Sequence, residues 1–277
     1  MGRGSATAEK IITVLNQIHR TEGISSLNRI SNEIIKNYEN YLKAAVDSKE
    51  LVAHSAQSYA SAMNAIVAYV NLRTDKNLKE ISAFNAGIKN KLTYGGKSTS
   101  PELFAKVYDK LSEPQQIKQD LQRQLFLRVK ESHYIKKDTI ENALKTGILT
   151  LNSKNNDGTK NSRRREVKIR TEAQKNTLIR ALSYMNAHNQ KSLIENDKKS
   201  EQALSKYYRD IRAAGGTKKE NNGHNFSHGN RHFGLNNLAD NILPAQNITD
   251  NKEIDKTVSS EAGHGESRTT DIYLGKH

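Results

Sequence analysis

The sequence predicts a mainly α-helical protein carrying one small antiparallel β-sheet. Two observations predict it. Apolar residues recur at helical spacing through most of the chain, and only two short runs, Gly147 to Leu151 and Arg165 to Ile169, have β character. A third observation sets the scale: 277 residues suffice for two domains, each with its own core. The expected division is an all-helical domain over residues 1–98 and a mixed α+β domain over 99–277, with 90–100 as linker.

Lysine and arginine number 44 against 30 aspartates and glutamates, a net charge of +14. Such a surface attracts a polyanion, and nucleic acid is the usual one. A merely soluble basic protein is the plainer alternative. There is no cysteine, which excludes disulfides and thiolate metal sites. No apolar run approaches the roughly 20 residues of a membrane span, and no signal peptide opens the chain. The expected setting is therefore cytoplasmic, with no membrane partner. Met1 to Ser5 reads as a cloning remnant and is left out of the fold.

Taken in order, Ile11, Val14, Leu15 and Ile18 make a first helical face. Ile30, Ile34, Tyr38, Tyr41 and Leu42 make a second, with Ser25 and Ser26 as candidate caps. Tyr59, Met63, Ile66, Val67 and Val70 form the clearest stripe, and Ala56, Ala60 and Ala62 allow close helix approach. This bundle has no catalytic constellation, and its expected use is to grip DNA. Asn90 to Ser100 breaks the pattern with Gly95 and Gly96. Ser100-Pro101-Glu102 then starts a helix, which Pro114 is expected to stop.

The next helix runs through Leu121, Leu125 and Phe126 and carries Arg128, with Glu131 three residues on. An arginine leaving a core surface can present a planar fork to a phosphate, although Arg-x-x-Glu alone is an ordinary helix ion pair. The two β runs flank a polar turn whose basic residues are Lys154, Lys160, Arg163, Arg164 and Arg165. That turn is either a solvated loop that attracts DNA or the carrier of a lysine proton donor. Helices follow through Ala173 to Met185 and Ala203 to Ile211, the second ended by Gly215 and Gly216. His228 and Arg231 stand three apart, so on a helix they share a face. His224, His228 and His232 are spaced by four, but no carboxylate completes a metal set, and none is expected.

The stretch Ala262 to Tyr273 gives these pieces a common purpose. Gly263-His264 is followed nine residues later by Tyr273, with Thr269-Thr270 shortly before it. A phenol can attack a phosphodiester if its proton is removed and the phosphate is held between cations. The clamp must come from elsewhere in the chain.

Arg128, a hairpin lysine, His228-x-x-Arg231, Gly263-His264 and Tyr273, in this order and rough spacing, resemble the tyrosine recombinase (phage integrase) family. The resemblance covers most of the chain, since the helical N-terminal part is similar to that family's core-binding domain. Gly158 to Ile169 resembles its strand hairpin, which selects Lys160 as the catalytic lysine with Lys154 as runner-up. The sequence departs from the pattern in a long interval between Arg231 and His264, with Leu243 to Lys256 resembling an insertion. No leucine precedes Arg231, and Lys168 stands where a proline is common.

The resemblance implies DNA strand exchange through a 3′-phosphotyrosine. Tyr273 is then the nucleophile, Arg128 and Arg231 clamp the phosphate, and His264 donates a further hydrogen bond. Lys160 is the general acid, His228 assists proton transfer and Glu131 supports Arg128. Lys154, Arg163, Arg164 and Arg165 are expected DNA contacts. Neither metal, cofactor nor ATP is implied. The partners implied are duplex recombination sites, a homotetramer on DNA, and accessory DNA-bending or directionality factors. The source implied is bacterial, phage or another mobile element, and the bound protein would be nucleoid-associated. With four residues after Tyr273, the protein is expected to be a monomer in solution. Two rival readings are a type IB topoisomerase-like enzyme and a non-catalytic DNA-binding protein.

Overall fold

A computed structural model describes residues 5–82, 97–152, 159, 164–194 and 199–264. The chain divides into two compact units, Met1–Leu92 and Thr93–His277.

The first unit is helical. It comprises α1 (Ser5–Glu22), a 3-10 turn (Leu27–Arg29), α2 (Asn32–Asp47) and α3 (Ala53–Arg73). Val14, Ile18, Ile35, Leu42, Met63, Ile66, Val67 and Val70 bury the predicted stripes in one core. Ala56, Ala60 and Ala62 are buried too, and α3 packs on both α1 and α2. The cap of α2 differs from the expected Ser25 or Ser26: Ser31 accepts from the Ile34 amide at 3.3 Å. Ile30, expected inside that helix, lies before it and is buried. After α3 the chain doubles back along the helix. Asn71 exchanges two hydrogen bonds of 2.9 Å with the Leu78 backbone. Asn64 does the same with Ile81, at 2.9 and 2.8 Å.

The second unit begins with α4 (Pro101–Tyr108), whose cap Ser100 accepts from the Leu103 amide as its sequence predicts. Pro114 does not stop this helix. It sits in the first turn of α5 (Glu113–Gln124), where its missing N–H costs nothing. Next come α6 (Val129–Tyr134), α7 (Lys137–Thr146), β1 (Ile148–Leu151) and β2 (Arg165–Lys168). The two strands pair antiparallel, with Leu149 opposite Val167 and Leu151 opposite Arg165. There follow α8 (Glu172–Ala187), α9 (Ser200–Ala213) and α10 (Phe226–Asn237). A π-helical turn (Leu238–Ile242) and the short α11 (Leu243–Ala245) lead to α12 (Asn251–Ala262).

Helix α5 packs against α6, α8 and α10, and its Ile117 and Leu121 lie fully inside the core. Leu149 and Val167 of the sheet, Leu178 and Met185 of α8, and Leu235 of α10 meet there. Leu243, Ile254 and Val258 join the same core. The stretch read as an insertion, Leu243 to Lys256, is thus packed structure that carries the chain into α12. Ser98 and Thr99, read as linker, are held on α10: Thr99 Oγ1 donates to the Phe226 carbonyl at 2.9 Å, and the Thr99 amide donates to the Gly229 carbonyl.

Helix α10 crosses α5 at a glycine. A Cβ on Gly234 would lie 2.1 Å from the Arg123 carbonyl oxygen and 2.8 Å from Phe126 Cδ1. Backbone cannot yield as a side-chain tip can, so overpacking outweighs the gain in helix propensity of about 1 kcal/mol. Gly234→Ala is expected to lower stability by about 1–3 kcal/mol. Urea titration checks this through a lower midpoint at unchanged slope; a raised midpoint would contradict the contact.

Candidate active site

The site starts with a broken helix. The apolar run Leu125-Phe126-Leu127 looks like helix continuing into Arg128, but α5 ends at Gln124 and Phe126 adopts a left-handed φ of 58°. That turn buries Phe126 and Leu127 and delivers Arg128 to the N-cap of α6. Glu131 is then at the third position of the helix. One of its oxygens accepts from the Arg128 amide at 2.7 Å, and the other accepts from Arg128 Nη1, also at 2.7 Å. The expected mid-helix ion pair is therefore a capping arrangement. A carboxylate there is favoured by the unpaired amides of the first turn.

Glu131 is fully buried, and a second guanidinium reaches it from β2: Arg165 Nη2 stands 3.4 Å from its Oε2. Arg165 also donates to the Phe126 carbonyl at 3.1 Å. Arg165, expected among the DNA contacts, therefore lies inside the cluster and not on the solvent face of the strand. Its side chain is 2% exposed, because β2 alternates and Arg165 shares the inward face with Val167. Arg164 does stay outside, paired with Glu166 at 2.5 Å.

Helix α10 brings the next pair. Asn225 caps it by accepting from the His228 amide at 3.0 Å. Arg231, one turn on, is buried, and its Nη2 donates to the carbonyl of Ala262 at the end of α12. Arg128 Nη2 donates to the same carbonyl at 3.0 Å and to that of Gly263 at 3.3 Å. The last carbonyls of a helix lack intrahelical partners and carry the negative end of its dipole, so they attract guanidiniums. Gly263 ends α12 at φ 65°, and a Cβ there would come within 2.9 Å of Arg165 Cδ. Glycine answers both demands. His264 follows directly.

Charge in this cluster is uneven. Burial alone would raise the Glu131 carboxyl, but Arg165, Arg128 and Arg231 outweigh it and hold the group below the usual range. Burial, then Arg231 and Arg128, push the His264 imidazole down to about 3. Burial and Arg231 lower His228 to about 4. Both histidines are neutral near pH 7, so each offers one N–H donor and one acceptor nitrogen.

A buried polar network steadies α10 from behind. The Tyr207 hydroxyl meets Ser227 Oγ at 2.6 Å and accepts from Gln122 at 2.9 Å, while Asn230 donates to Gln119 at 2.6 Å. The fold thus gathers Arg128, Glu131, Arg231 and His264, together with His228 on the Arg231 helix. Lys154, Lys160, Arg163 and Tyr273 lie outside the described residues. Sequence reading missed the inward Arg165, for which strand alternation was the available signal. It also missed the Ala262 carbonyl, a main-chain atom with no signature.

Glu131→Gln keeps the shape and removes the charge the guanidiniums share. The expected loss is about 3–5 kcal/mol at neutral pH. The folded-state pKa lies below the ordinary carboxylate value of about 4.3, so the parent's advantage is complete above that value and is lost as pH falls through the folded one. Denaturation of both proteins as pH is lowered from about 7 toward 3 checks the sign. A gap that stayed constant would contradict it.

No family model and no curated protein matches the sequence. Solved structures do match the fold. A lambda integrase dimer bound to a core site aligns with a TM-score of 0.67 and 16% identity, over 99% of this chain and 89% of that one. A lambda integrase tetramer bound to a Holliday junction aligns at 0.63 and 15% identity, over 100% of this chain and 74% of the other. The Tn1549 transposon integrase in complex with transposon right end DNA aligns at 0.62 and 12% identity, over 98% and 90%. Helix caps, hairpin, arginine cluster and these alignments agree: the chain has the tyrosine recombinase fold.

Proposed function

We propose that this chain is a site-specific tyrosine recombinase that cuts and rejoins DNA through a 3′-phosphotyrosine, serving integration or excision of a mobile element. One observation carries the reading: Arg128 and Arg231, distant in sequence, converge on one point beside Glu131 and His264. Among the described residues that act on Glu131, three guanidiniums face one carboxylate. With His228 and His264 neutral, that leaves a surplus of two positive charges in a largely buried place. A diester phosphate carries one negative charge. Its pentavalent transition state carries a second once the attacking phenol has lost its proton.

Tyr273 loses its phenolic proton to water as its oxygen attacks phosphorus, a transfer that neutral His228 assists through its acceptor nitrogen. The bond to the 5′-oxygen breaks, and Lys160 protonates that oxygen. Arg128 and Arg231 hold the non-bridging oxygens, and His264 donates to one of them. Because the phosphodiester energy is retained in the tyrosyl ester, a second 5′-hydroxyl can attack, returning the phenol and resealing the strand. The charge match assigns to guanidiniums the role a metal would otherwise take. Arg163, Arg164 and Lys154 are assigned to the DNA backbone, and the helical first unit to further DNA contact. Strand exchange by four copies on DNA is supported by the lambda integrase tetramer on its junction.

The test uses a duplex site recovered by selection from a random pool, nicked so that cleavage traps the protein. The parent chain is expected to form a covalent adduct on denaturing gels. Tyr273→Phe should bind the same DNA and form none. Lys160→Ala should cleave slowly, with its rate restored on a 5′-bridging phosphorothiolate, whose sulfur leaves without a proton. An adduct in the Tyr273→Phe protein would contradict the assignment, and rescue of Lys154→Ala instead would transfer the acid role.

A further inference from the structure

The carbonyl that receives both arginines is itself held from one side. Glu261 immediately precedes Ala262, and Arg170 lies just beyond β2. Their side chains meet as a two-bond fork: Nη2 to Oε1 at 2.5 Å and Nη1 to Oε2 at 2.9 Å. Each is only 6% exposed. Arg170 is fixed in turn, since its amide donates to Gln174 Oε1 at 2.7 Å in the capping box of α8. A buried ion pair adds little stability over a well-packed apolar pair, so what this one supplies is geometry. Planar forks set both distance and angle.

We propose that Arg170 and Glu261 are positioning residues, which lock the last turn of α12 so that the Ala262 carbonyl sets the spacing of Arg128 and Arg231. The two guanidiniums repel each other, and a shared acceptor holds them together at a fixed separation. A drift of that acceptor misaligns both forks at once. The arrangement also links the hairpin to the arginines, because β2 carries Arg165 at one end and leads into Arg170 at the other. This inference rests on the recombinase reading and deepens it.

The experiment compares the parent with Glu261→Gln, which keeps the shape and removes the charge, and with Arg170→Lys, which keeps the charge and removes the fork. Single-turnover cleavage is measured at saturating DNA on two substrates. One has an ordinary scissile phosphate, and the other a methylphosphonate there, which is neutral and asks less of aligned guanidiniums. On the ordinary phosphate, Glu261→Gln is expected to cleave on the order of 10- to 100-fold more slowly, with half-saturating DNA concentration unchanged. Arg170→Lys should fall between. On the methylphosphonate the gap to the parent should largely close. Equal losses on both substrates, a loss confined to DNA affinity, or no loss would each overturn the proposal as a matter of mere packing. Should Glu261→Gln fail to fold, Arg170→Lys decides alone by the same comparison. A parent that cleaves neither substrate overturns the recombinase reading itself, a separate outcome.

Discussion

One buried carboxylate organises the second unit. Glu131 caps its own helix, neutralises Arg128 and draws in Arg165 from the hairpin. Without it, guanidiniums from three separate elements could not share a largely solvent-excluded place, because their mutual repulsion would go unopposed. With it, the cluster is stable yet still positively charged. In the recombinase reading proposed above, that residual charge is the functional quantity. It makes the site attractive to an anion, more so to one that gains charge as it reacts, and it adds to the burial that keeps His228 and His264 neutral.

The rest of the unit can be understood as support for the separation of those charges. Gly234 lets α10 lie against α5, fixing the height of Arg231 relative to the turn that presents Arg128. Gly263 ends α12 in a conformation that exposes its last carbonyls to both arginines. Behind α10, the Tyr207, Gln119 and Gln122 hydrogen bonds fill what would otherwise be buried unsatisfied groups. Each is a constraint on backbone position rather than a contact with substrate, which explains how so few side chains can define the site.

Much of this was legible in the sequence. Apolar periodicity located the helices because tertiary packing in a helical protein follows the same stripes that a sequence displays. Arg128, Arg231 and His264 were legible because their chemistry is restricted and their order along the chain is informative. The limit came wherever a decision belonged to the backbone. Leu125 to Leu127 read as continuing helix, since nothing in a phenylalanine announces a left-handed turn; burial of the ring against the core overrides local preference. Arg165 sat in a basic run and looked solvated until the strand register turned it toward Glu131. Arg170 and Glu261 are 91 residues apart, and neither type is expected inside a core, so their pairing had no local sign.

The most direct measurement is the structure of the Tyr273→Phe protein on its intact DNA site, by crystallography or electron cryomicroscopy. The scissile phosphate should lie within hydrogen-bond reach of Arg128, Arg231 and His264, with Glu131 still bonded to Arg128 and the Ala262 carbonyl still beside both forks. A phosphate seated elsewhere on the basic surface, with the two arginines bonded only to α12, would contradict it.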